Sequence, residues 1–141
     1  MLLPLPPFSW QNIHPILVNF TAALVPASIA SDLLGKFVWR DSLSRAAWWM
    51  LLYATLITPF TVLFGWLWKG SLEDAAMVKE TIFVHQWLGT ALAASFILLA
   101  SWRGTLYVRG KSPNLLYFLL ALLVMLLLGY QGHLGGSMVF G

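Results

Sequence analysis

Residues 113–133, PNLLYFLLALLVMLLLGYQGH, decide the fold. The stretch carries no Asp, Glu, Lys or Arg, and about 20 apolar residues are what a helix needs to cross the hydrocarbon core of a bilayer. A helix that is apolar on every face has no use for water, so this one reads as a membrane span. Three similar stretches precede it: 13–34 (IHPILVNFTAALVPASIASDLL), 46–68 (AAWWMLLYATLITPFTVLFGWLW) and 81–102 (TIFVHQWLGTALAASFILLASW). Proline is tolerated in the first turn at Pro15, and kinks are predicted at Pro26 and Pro59. Ser71 with Glu73 and Asp74 resembles an N-cap followed by first-turn acids, so the third helix is predicted to begin before residue 81. Ser112-Pro113 opens the fourth, which is predicted to break around the glycine-rich His133.

Composition agrees. Of 141 residues, 60% are hydrophobic and 9% charged, whereas a soluble domain carries about a quarter charged. The mean hydropathy is +0.80. Apolar surface on this scale is accommodated only against lipid. The absence of cysteine excludes disulfides, thiolate metal sites and iron–sulfur ligation by this chain. A net charge of +3 is not a nucleic-acid signal, because the cations sit in short segments beside the apolar spans. The opening MLLPLPPFSWQ is proline-broken and lacks a basic residue. It reads as an interfacial segment, not a cleavable signal peptide.

The expected fold is therefore all-α: an integral membrane four-helix up-down bundle, with residues 1–141 forming a single transmembrane domain. Lys36, Arg40, Arg45, Arg103, Arg109 and Lys111 fall on one side, and Lys69 and Lys79 on the other. The positive-inside rule then places both termini on the outer face, periplasmic in a Gram-negative bacterium. Trp66, Trp68 and Trp87 fall near the outer boundary, and Trp39, Trp48, Trp49 and Trp102 near the inner one, as aromatic belts do. Thr21, Ser28, Thr55, Thr58, Thr61, Thr90 and Ser95 are expected to bond helix backbone or neighbouring helices. No charge falls at the centre of a span, which argues against a transport pathway.

Three histidines remain. His14 opens the first span, His85 lies about one turn inside the third, and His133 closes the fourth, so the alternating topology brings all three to the outer face. Imidazole is a common ligand for haem iron, copper and zinc. Two histidines from different helices can clamp a haem in a four-helix bundle; three can make a zinc or copper site. Structural roles, with each ring bonded to backbone or water, are the alternative. Gly89, one turn beyond His85, leaves a gap for a macrocycle or a neighbouring helix, and Gly132 stands beside His133. The candidate cofactor-binding residues are thus His14, His85, His133, Gly89 and Gly132, with the three histidines as candidate metal ligands. Asn19 is a candidate for the same cleft, Glu80 for orienting His85, and Gln86 and Gln131 for donating to a quinone carbonyl or a haem propionate. Trp87, beside His85, is a minor candidate for stacking on a cofactor.

Three ordered motifs carry a resemblance: His14-Pro15-Ile16-Leu17-Val18-Asn19-Phe20, His85-Gln86-Trp87-Leu88-Gly89, and Gly132-His133-Leu134-Gly135-Gly136 running on to Gly141. Together they resemble the bacterial four-span membrane family catalogued as domain of unknown function 2231. The resemblance implies a bacterial inner-membrane protein. Because some relatives are joined to Rieske-type or c-type cytochrome domains, it also implies membrane redox work with b-type haem. Other redox subunits or a quinone would be partners besides the lipid bilayer, and an oligomer is a further expectation. Relatives often carry a second histidine in the first motif, where this chain has Asn19. Asparagine is a poor haem ligand, so if the family uses that histidine as a ligand, this chain has lost it. His85 with His133 is the expected axial pair, with His14 as the alternative partner. A subunit without a cofactor, stabilising a larger complex, is the competing expectation.

Overall fold

The computed structural model describes residues 12–68 and 79–140, and the opening segment and the Ser71 helix start lie outside them. Four helices account for nearly all of the described chain: α1 (Ile13–Leu34), α2 (Arg40–Trp68), α3 (Lys79–Val108) and α4 (Leu115–Phe140). Each is long and apolar enough to cross a membrane. The first matches its predicted bounds. The others run further: α2 begins at Arg40 and α3 continues to Val108. These ends are rich in charged and aromatic residues, which suit the headgroup region, where a helix does not have to stop when its apolar stretch does.

Local chemistry sets the boundaries. Gly110, with φ +63°, closes α3: its N–H reaches the Tyr107 carbonyl and the Lys111 N–H reaches that of Leu106. These are the two bonds of a left-handed glycine cap. Asn114 caps α4, its side-chain oxygen accepting from the Tyr117 N–H at 3.0 Å. The predicted break at His133 does not occur, and α4 continues through Gly135 and Gly136. Glycine permits a break, but in lipid each freed backbone group would go unsatisfied, and continuing the helix avoids that cost. Both α1 and α2 likewise continue past Pro26 and Pro59.

In packing, α1 lies on α2, α2 on α3, α3 on α4, and α4 returns to α1. In that ring α1 and α3 are diagonal partners. The core is formed by Val25, Leu51, Leu92, Phe96, Leu99, Tyr117 and Val124, with Ala54, Ala100 and Ala121 where helices approach closely. Leucines of α4 such as Leu115, Leu119, Leu123 and Leu126 face outward.

Apolar burial drives helices together weakly in lipid, so polar contacts matter more, each contributing on average about 0.6 kcal/mol. Ser28 donates to the Ala47 carbonyl at 2.7 Å, Thr21 meets Thr58 at 3.2 Å, and Thr55 reaches the Phe96 carbonyl at 3.3 Å. Thr58, Thr61, Thr90 and Ser95 bond carbonyls four residues back in their own helices.

One buried ion pair changes the sequence reading. Arg103 is a helical residue with no exposed surface, not a loop cation. Its Nε and Nη2 donate to the two Asp32 carboxylate oxygens at 2.7 Å each. Nη2 also donates to the carbonyl and hydroxyl of Ser44, at 3.0 and 2.9 Å. A single guanidinium thus fastens α3 to both α1 and α2. The pair lies near the ends of α1 and α3, so the helix centres stay free of charge, as the sequence indicated.

Candidate functional site

The starts of α1 and α3 meet the ends of α2 and α4, and the polar residues of interest collect there. Across the bundle diagonal the His14 and His85 rings face each other edge-on, 6.2 Å between centroids and 77° between planes. Both are half-buried.

Each histidine is held by a pair of residues one turn apart on a neighbouring helix, His14 through its ring and His85 through its backbone carbonyl. On α2, the Thr61 carbonyl accepts from His14 Nδ1 at 2.8 Å. A carbonyl only accepts, so Nδ1 carries the proton and the neutral ring keeps its lone pair on Nε2. At Gly65 the ring lies where a side chain would begin: a Cβ there would meet His14 Cε1 at 2.9 Å. On α4, Gln131 Nε2 donates to the His85 carbonyl at 2.8 Å, and a Cβ at Gly135 would meet His85 Cε1 at 3.1 Å. Trp68 flanks His14, with ring centroids 5.9 Å apart.

The same end holds unmet hydrogen-bonding capacity. His85 Nδ1, Gln86 Nε2 and Gln131 Oε1 are buried and without a partner among the described residues. Buried polar atoms usually find partners, and each left alone costs about 1–3 kcal/mol.

The remaining candidates are placed differently. His133 is exposed. It lies two residues from both Gln131 and Gly135, hence about 200° around α4 from the face that meets His85. Gly132 is also exposed, with nothing within 4 Å of its Cβ position. The gap at Gly89 is taken by Gln131, whose Nε2 would lie 2.9 Å from a Cβ there. Asn19 is exposed rather than in the cleft, being about 140° around α1 from His14. Glu80 is exposed in the first turn of α3, and Trp87 is exposed against Trp66 and Phe83. Among the described residues no group of three His, Cys, Asp or Glu side chains could hold a metal ion. What sequence reasoning missed are the two seats, Gly65 with Thr61 and Gly135 with Gln131. Their four-residue spacing was the available signal.

The profile of one family matches residues 11–141, nearly the whole chain. The chain belongs to the DUF2231 family of predicted membrane proteins. No curated protein and no solved structure matches it. In this DUF2231 member His14 and His85 supply the facing rings, and the closing glycine-rich segment supplies the Gly135 seat.

The tightness of the seats gives a prediction. Gly65→Ala forces a methyl against a ring that Thr61 holds, and overpacking of this kind costs about 1–3 kcal/mol. Gly135→Ala meets the His85 ring at 3.1 Å, which needs only a small shift, so a smaller effect is expected. Gly132→Ala, with open space around it, is expected to stay near the wild-type value. Unfolding in detergent measures all three, and equal effects at Gly65 and Gly132 would contradict the seating described.

Proposed function

We propose that this chain is an integral membrane redox subunit that holds a b-type haem between His14 and His85. The facing of those two rings across the bundle diagonal carries the reading. The chemistry of the donors supports haem over a bare ion. Zinc sites use three or four protein ligands, whereas a haem iron takes only two from the protein, which is what the facing pair offers. Such a haem would supply a one-electron carrier. The chain's own part is orientation: Thr61 fixes the His14 tautomer, the glycine seats hold both rings, and Gln86 and Gln131 offer a donor and an acceptor to polar groups. Electrons would pass to or from a quinone or a periplasmic carrier.

The setting follows the same reading: one transmembrane domain over residues 1–141, arranged up-down in a bacterial inner membrane with both termini outside. Contacts between helix starts and the ends of the next helices support the arrangement. With Arg103 internal, Lys36, Arg40, Arg45, Arg109 and Lys111 still outnumber Lys69 and Lys79, which supports the orientation.

A second reading rests on the His14–Thr61 bond, which also serves as plain fastening between α1 and α2 in a non-catalytic subunit of a larger complex. The reduced-minus-oxidised absorption spectrum of protein purified from its native membrane separates the two. Soret and α bands of a low-spin haem are expected. A colourless preparation that retains its partners would favour the fastening role.

A further inference from the structure

The far end of the bundle holds a second polar feature, independent of the histidines. Between the start of α2 and the α3–α4 turn lies an open groove of about 510 Å³, its charged residues exposed. Arg40, Arg45 and Lys111 line it, against a single acid, Asp41. None of the three cations has a carboxylate partner among the described residues. Arg40 Nη2 donates to the Ser112 hydroxyl at 2.9 Å, and Arg45 Nε to the Asp41 carbonyl at 3.2 Å. Three cations against one carboxylate leave a net positive charge at the pocket, which a bound anion would offset.

The surroundings restrict the anion. Trp39, just before Arg40, is 80% exposed, and Val108, which lines the groove, is 85% exposed. Apolar side chains this open beside a cationic pocket suit a molecule with a phosphate at one end and acyl chains at the other. Below the pocket, the buried Arg103 binds Ser44 and lies 6.0 Å from the Tyr107 ring, and both of those residues line the groove. Arg103 Nη1 has no partner among the described residues. Basic pockets between membrane helices are suited to anionic headgroups.

We propose that this pocket binds the phosphate of an anionic phospholipid, with Arg40, Arg45 and Lys111 as its ligands. The pocket needs the chain to span a membrane but makes no use of His14 or His85, so it stands or falls separately from the haem.

The test uses the full chain in nanodiscs of mixed phosphatidylglycerol and phosphatidylcholine, with retained lipid read by native mass spectrometry. Wild type is expected to retain phosphatidylglycerol preferentially. The preference is expected to fall roughly fivefold for each cation removed, in Arg45→Gln and Lys111→Gln. It should survive the charge-conserving Arg45→Lys and Lys111→Arg. Lys79→Gln removes the same charge at the opposite end and should change nothing. Inorganic phosphate at millimolar concentration should not displace the lipid. Equal retention of the two lipids, an equal effect of Lys79→Gln, unchanged retention in both pocket variants, or displacement by inorganic phosphate would each overturn the proposal.

Discussion

Replacing Asp32 by alanine is expected to destabilise the bundle by about 3–5 kcal/mol, the usual cost of leaving one charge of a buried pair alone. Arg103 has no exposed surface, and its guanidinium would lose both 2.7 Å bonds at once. The serine contacts would remain but carry no charge. Arg103→Lys is not a mild change either, since an ammonium cannot span both carboxylate oxygens and Ser44 as the planar fork does. Removing both charges together should cost much less. Asp32→Leu with Arg103→Met replaces the pair by apolar groups of similar size, a change that is often neutral or stabilising. Unfolding in detergent, followed by helical circular dichroism, reads all three variants. A single Asp32→Ala variant within about 1 kcal/mol of wild type would show that water or lipid headgroups reach the guanidinium after all.

The second large effect concerns the histidines. His14→Ala and His85→Ala are each expected to abolish the low-spin haem spectrum, while His133→Ala leaves it intact. Either substitution would remove one of the two imidazoles that would hold the haem. His133 lies on the exposed side of α4 and cannot reach the diagonal pair without unwinding that helix. The variants must also be shown to stay folded, because His14 bonds α1 to α2. His14→Gln is the useful control, keeping a donor for Thr61 but offering no imidazole. If it too loses the spectrum while the helical signal stays unchanged, ligation and fastening are separated. Retention of the spectrum in His85→Ala, or its loss in His133→Ala, would contradict the pairing.

The four helices were legible because each holds about 20 residues almost free of charge, a pattern that has few outcomes besides a span. Their ends were less so. Arg40, Asp41 and Arg45 are charged, and hydropathy alone stops before them, yet they form the first turns of α2. Arg103 was hidden for the same reason. As a cation just past an apolar stretch it resembles a topology-setting loop residue, and only the lone Asp32 within the first span signalled that a partner was required.

His14 and His85 stood out because a polar ring inside a span needs a reason. The pair expected from the sequence is His85 with His133, whereas the rings that face each other are those of His14 and His85; no two histidines share a helix, so spacing could not choose. The helical continuation of the last motif decides it. With α4 unbroken, Gln131 and Gly135 fall one turn apart on the face toward His85, and His133 is carried to the other side. The gap at Gly89 had a simpler occupant than a macrocycle, the Gln131 side chain.

The haem content of the protein purified from its native membrane, expressed per chain, tests the central claim most directly. Close to one b-type haem per chain is expected, lost when either His14 or His85 is replaced. A preparation with its native partners present and only trace haem would contradict it.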